Sequence, residues 1–134
     1  MAKQINVVGA VILRDGLVLC AQRGEASALG GMWEFPGGKI EAAETPREAL
    51  EREIVEELHC QVEVGTEVTT TVHKYDFGIV SLTTFYCELV AGEPRLTEHA
   101  DVVWLKPEEL DSLTWAPADI PAVDIIKGAF ARNG

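Results

Sequence analysis

The sequence predicts an α+β domain, a mixed β-sheet held between helices. Three observations carry this expectation. Segments of alternating, β-branched residues open the chain and recur after residue 60. A capped helix with an apolar stripe every four residues separates them. A second amphipathic segment closes the chain.

Taken in order, residues 5–13 read as a strand, and Asp15-Gly16 is a hairpin signal from which residues 17–23 return. Residues 24–31 make a small-residue loop and residues 32–35 a short strand. Trp33-Glu34-Phe35-Pro36-Gly37-Gly38-Lys39 then ends that strand and turns tightly into the loop before the first helix. Thr45 is the expected N-cap of that helix, with Pro46 in the first helical position and Glu48 closing a capping box. Leu50, Ile54 and Leu58 should face a core. Residues 61–74 alternate and are rich in Val and Thr, Asp76-Phe77-Gly78 looks like a turn, and residues 79–89 pair back. Residues 91–94 form a loop, 101–105 a strand and 107–110 a helical turn. Residues 119–130 read as a terminal helix with Val123, Ile126 and Phe130 on one face. No repeat or linker divides the chain, so residues 1–134 are expected to form one domain.

The chemistry concentrates on the first helix. Glu53, Glu56 and Glu57 fall within five positions, with Glu53 and Glu57 on one flank of the apolar stripe and Glu56 beside them. Exposed like charges at this spacing repel by only about 0.2–0.5 kcal/mol per pair, but by several kcal/mol if they converge in a partly dry site. Such a site needs a cation, and oxygen-only ligands favour Mg²⁺, with Mn²⁺ as a substitute. Arg52 lies four residues from both Glu48 and Glu56 and can hold a carboxylate in place. The plain alternative is a solvated acidic helix face. The flanks weigh against it, because Gly37 and Gly38 let backbone groups approach a metal or phosphates closely.

These residues resemble the Nudix family. Its box reads Gly, five residues, Glu, seven residues, Arg-Glu, an aliphatic residue, any residue, Glu-Glu, any residue, Gly, aliphatic. That pattern falls here on Gly38, Glu44, Arg52, Glu53, Ile54, Glu56 and Glu57, with His59 for the final glycine and Cys60 for the last aliphatic residue. Cys60 is a mild change. His59 is expected in the left-handed conformation that ends the helix, where His is among the better-tolerated non-glycine residues. The resemblance implies the Nudix α/β/α sandwich over essentially the whole chain. It also implies a metal site of Glu53, Glu56, Glu57 and the Gly37 carbonyl. Glu53 is the first candidate for the base that activates water, and Glu98, in the Leu96-Thr97-Glu98-His99 loop, is the runner-up, with an ordinary loop carboxylate as its alternative.

The turn from Phe35 to Lys39 and the ending Ala116-Pro117-Ala118-Asp119-Ile120-Pro121 resemble the MutT branch, in particular its CTP pyrophosphohydrolase members, which also clear modified nucleotides such as 8-oxo-dGTP. That branch converts nucleoside triphosphates to monophosphate and pyrophosphate. Tyr75 lies near where dinucleoside polyphosphate hydrolases carry a tyrosine, so that activity stays open. So do a Nudix-fold nucleotide sensor without turnover and an acidic protein-interaction domain. By resemblance Asp119 and Glu34 sit near the base, where a carboxylate would accept hydrogen bonds from amino groups. Asp119 also suits an N-cap of the last helix, and Glu34 a surface position on a half-buried strand. Phe77 offers a ring to stack on a base, or a core aromatic beside a turn. Arg23 and Lys39 are phosphate contacts by resemblance, or solvated cations.

Composition narrows the partners. A net charge of −11 argues against duplex nucleic acid, which needs basic patches, and leaves a small-molecule nucleotide. Three cysteines without CxxC spacing read as reduced thiols, which points to the cytoplasm. The N-terminal residues run straight into strand-like sequence with no leader pattern, and no apolar run approaches the length of a membrane span. Monomer and homodimer both fit the sequence.

Overall fold

A computed structural model describes residues 3–131 of the chain. Its strands are β1 (Gln4–Arg14), β2 (Leu17–Gln22), β3 (Trp33–Glu34), β4 (Gly37–Lys39), β5 (Gln61–Tyr75), β6 (Gly78–Ala91) and β7 (Asp101–Leu105). Helix α1 spans Pro46–Leu58 and α2 spans Ile120–Ala131, with 3-10 turns at Pro107–Ser112 and Pro117–Asp119. All seven strands join one mixed sheet. β1 lies at its centre, parallel to β6 and antiparallel to β2 and β4. β2 also pairs β3 and β7, and β5 forms the far edge against β6.

Alternation in the strands sends side chains to two cores. Val8, Ala10 and Ile12 of β1 and Leu19 of β2 pack beneath α1 with Leu50, Ile54 and Leu58. Val11 of β1 and Val18 and Cys20 of β2 face α2, where Val123 and Ile126 are buried and Phe130 packs against their rim. The sheet is thus covered by a helix on each face, as expected. Asp15 (φ 52°) and Gly16 (φ 79°) are both left-handed, the conformation a two-residue hairpin demands. Cys20, Cys60 and Cys87 are free thiols and all buried. Among the described residues, no helix is long and apolar enough to cross a membrane.

The first helix begins and ends as its sequence dictates. Thr45 accepts from the Glu48 amide, the Glu48 carboxylate accepts from the Thr45 amide, and His59 closes the helix at φ 55°, ψ 36°. Three local readings change. Residues 37–39 do not merely turn but form β4, registered as Gly9↔Gly37, Val8↔Gly38 and Val7↔Lys39. The expected strand 32–35 shrinks to Trp33–Glu34, because the Phe35 amide is spent on Asp119 (3.1 Å) and Pro36 has no N–H to give. The last helix begins at Ile120, with Asp119 ending the 3-10 turn before it.

The long β5 edge is irregular. Its register against β6 shifts between Gln61 and Val62, between Val64 and Glu67, and between Glu67 and Thr69. Bulges of this kind bend a strand and increase its twist.

Candidate active site

Helix α1 turns its acidic flank toward β4. Gly38 has no side chain because Glu53 occupies that space: a Cβ on Gly38 would lie 2.2 Å from Glu53 Oε2. Arg52 organises the row. Its guanidinium donates to Glu44 at 2.6 and 2.9 Å, to Glu53 at 2.7 Å, to Glu56 at 3.2 Å and to the Lys39 carbonyl at 3.1 Å. Glu48, the other expected partner of Arg52, is committed to the helix cap, and Glu44 takes its place. Glu44 is a box position whose role the sequence left blank.

Glu57 is the most perturbed carboxylate of this row. Burial pushes it up to about 8, the charges of Glu34, Glu53 and Glu98 add to the effect, and the Gly37 amide opposes it. Its Oε1 is buried with no hydrogen-bond partner. Burial also raises Glu53, although Arg52 pulls the other way. Among the described residues, no three acidic, His or Cys side chains already converge at ligand distance. The donor set still fits a hard divalent cation: oxygen ligands only, an orphaned carboxylate oxygen, and mutual repulsion that a cation would relieve.

The segment before β7 closes over the same helix. Thr97 Oγ1 donates to the Glu57 carbonyl, and the Arg95 amide donates to the Leu58 carbonyl at 2.8 Å. Glu98, beside them, is exposed, and its charge acts on both Glu53 and Glu57. The structure therefore brings Glu98 to the acidic row, although it lies 41 positions from Glu57 in the chain (98 − 57).

A cavity of about 410 Å³ runs from Gly37 and Gly38, the latter against Glu53 of this row, to Glu34 and Asp119. Arg23 and Lys39 also line it, but Arg23 is occupied: it holds Glu34 at 2.7 Å and the Ala28 carbonyl at 2.7 Å. Glu34 accepts a second bond from His99 Nε2 at 3.0 Å, the donor assigned because a carboxylate only accepts. The surface reading of Glu34 is thereby corrected, for both its oxygens are engaged inside the fold. Asp119 is 5% exposed and accepts from the Phe35 amide. Burial pushes it up to about 8, against the pull of that amide and with Glu34 adding to the rise. No helix-capping bond from its carboxylate is found among the described residues, so the capping reading gives way to support of the Phe35 backbone. Phe35 itself is buried against Trp115, ring centroids 4.8 Å apart.

Phe77 is 47% exposed, which corrects the core reading. It stacks on Tyr75 at 5.0 Å with the rings 7° from parallel, and both line the cavity. The Tyr75 hydroxyl accepts from the Ala118 amide at 2.8 Å, beside Asp119. Sequence reasoning missed this tie and the His99–Glu34 bond, because each joins residues far apart in the chain with no motif between them.

Comparison with known proteins places the site in context. A profile described as the NUDIX domain matches residues 7–124. The chain is 41% identical over 122 residues to the "CTP pyrophosphohydrolase" of Escherichia coli, covering 91% of this chain and 90% of that one. It is also 41% identical over 122 residues to the "Putative 8-oxo-dGTP diphosphatase 2" of Mycobacterium tuberculosis, covering 89% of this chain and 84% of the other. Among solved structures, the MutT protein of methicillin-resistant Staphylococcus aureus, a Nudix hydrolase, superposes with a TM-score of 0.80 at 57% identity, covering 96% of this chain and 99% of that one.

Proposed function

Since this chain belongs to the NUDIX domain family, we propose that it converts nucleoside triphosphates to monophosphate and pyrophosphate, acting on cytidine triphosphates or oxidised purine deoxynucleotides such as 8-oxo-dGTP. That it is a nucleotide pyrophosphohydrolase follows from the family and its relatives. The substrate class, the metal and the residue roles are our own reading. One observation supports them above all: a single cavity joins the Glu34–Asp119 end to the glycines beside the acidic row of α1.

Glu53, Glu56, Glu57 and the Gly37 carbonyl would hold Mg²⁺, or Mn²⁺ in its place, which when bound neutralises phosphate charge and polarises the phosphoryl centre. Arg52 fixes Glu53 and Glu56 in one geometry, and Gly37-Gly38 leave room for phosphates to approach the backbone. Glu53 accepts the proton of the attacking water; burial has already raised its affinity for protons. Glu98 is the alternative base. For Glu98→Gln, an acidic limb of the pH–rate profile and a rate both equal to wild type would remove it from proton transfer. Phe77 and Tyr75 give the base an aromatic wall, and Lys39 offers a cation to the phosphates.

Asp119 reads the base. Burial raises the proton affinity of its carboxyl, and in the protonated form it offers a hydroxyl donor as well as an acceptor. Asp119→Ala is expected to lower kcat/KM for the preferred nucleotide by roughly 1–3 kcal/mol, and by much less for a poor one. Asp119→Asn carries one donor and one acceptor at every pH. Its base preference should therefore stay constant between pH 6 and 9, while that of the wild type changes as Asp119 ionises. Equal losses for every substrate in both variants, with earlier melting, would leave Asp119 a purely structural role.

The decisive assay is Mg²⁺-dependent pyrophosphate release from a panel of normal and oxidised (deoxy)nucleoside triphosphates. Dinucleoside polyphosphates belong in the same panel because of Tyr75. Binding without release would make the chain a sensor.

A further inference from the structure

The segment from Arg95 to Ala100 contains no helix or strand, yet it is fastened at both ends. Arg95 and Thr97 tie it to the end of α1, while the Ala100 amide donates to the Gln22 carbonyl at 2.8 Å and His99 reaches Glu34. Glu98 stands between these two sets of anchors. His99 is the unusual member. Its side chain is only 5% exposed, Nε2 is spent on Glu34, and Nδ1 is buried with no partner. A leucine would fill the same space without an orphaned nitrogen, so a histidine here calls for a reason beyond packing.

Glu34 supplies that reason. Its carboxylate is held on one oxygen by Arg23 and on the other by His99, and it borders the cavity. Its charge is felt at Asp119, at the base end, and at Glu57, in the acidic row. We infer that His99 is a positioning residue that locks the Glu34 carboxylate for base recognition and, through the adjoining peptide, holds Glu98 toward the acidic row of α1. One side chain then aligns the recognition end of the cavity with the acidic row beside it. This rests on the nucleotide-hydrolase reading above.

The test uses the full chain with CTP and 8-oxo-dGTP as probes and Mg²⁺ present, separating kcat from KM and recording Tm. His99→Leu removes the donor. It is expected to lower kcat about 10-fold or more and to change the CTP to 8-oxo-dGTP ratio of kcat/KM by about 10-fold. His99→Gln, whose amide can still donate to Glu34, should return the ratio to within about 2-fold of wild type. Thr97→Val loosens only the α1 anchor and should lower kcat for both nucleotides while leaving their ratio alone. If His99→Leu does not fold, His99→Asn, too short to reach Glu34, takes its place with the same expected outcome. A lower Tm with unchanged kcat and ratio in these donor-deficient variants would show a packing histidine and overturn the inference. So would a His99→Gln no better than His99→Leu. An active wild type with those results overturns only the role of His99, whereas a wild type that turns over no nucleotide overturns both readings.

Discussion

Glu57→Gln is expected to abolish most turnover, by roughly 10²–10⁴-fold, while making the metal-free protein more stable. Both effects come from one carboxylate. In the fold Glu57 is held up at about 8, far above the ordinary glutamate value. A group whose folded pKa is raised contributes stability that is fully present below its unfolded pKa of 4.5 and lost as pH climbs through 8. Glutamine carries no such penalty. The variant should gain roughly 1–3 kcal/mol over wild type above pH 8, a figure discounted because the side chain retains some solvent, and should gain little near pH 4. Added Mg²⁺ should reverse the order, raising the wild-type Tm and barely moving that of the variant. Urea melts at pH 4, 7 and 9, with and without Mg²⁺, check this. Full activity in Glu57→Gln at saturating Mg²⁺ would sink the metal assignment.

The two glycines of β4 should fail in different ways when given a methyl group. A Cβ on Gly37 would fall 1.9 Å from the Val8 carbonyl oxygen, which is backbone of the central strand and cannot swing aside. Gly37→Ala should therefore cost about 3 kcal/mol or more, or prevent folding, as followed by urea denaturation. At Gly38 the obstacle is the Glu53 carboxylate, the end of a flexible side chain. Gly38→Ala should fold with near-normal stability but lose most of its kcat, because Glu53 must leave its place. A Gly38→Ala enzyme with wild-type kcat would mean that Glu53 needs no fixed position. A stable Gly37→Ala protein would mean that β4 can part from β1.

Much of this architecture could be read from the chain, and the reason is locality. Thr45, Pro46 and Glu48 satisfy one another within a single turn, so the start of α1 needs no tertiary information. Alternation in β1 assigns its two faces before any partner is known. The acidic row was legible because helical geometry alone gathers Glu53, Glu56 and Glu57. What escaped were bonds whose partners meet only in the folded sheet. Strand β4 exists because β1 offers it an edge, not because Gly37-Gly38-Lys39 favours extension. The Asp119 bond to Phe35 spans 84 positions and the His99 bond to Glu34 spans 65, and no local pattern announces either. Arg52 shows a subtler failure: spacing offered Glu48 and Glu56, but the cap had already claimed Glu48.

The β5 edge has a consequence for the behaviour of the protein in bulk. Fifteen residues of edge strand, Gln61–Tyr75, are a template on which another chain could add itself. The register shifts bend that edge, and Glu63, Glu67 and Lys74 place charge along it, but most of the deterrent is the net charge of −11 that keeps molecules apart. That repulsion vanishes near the isoelectric point, about 4.6. Glu57 and Asp119 are protonated and at ease at that same acidity. The protein should therefore be prone to precipitate in the pH range where these two acids least oppose folding, so that colloidal stability and their contribution to conformational stability pull toward opposite ends of the pH scale.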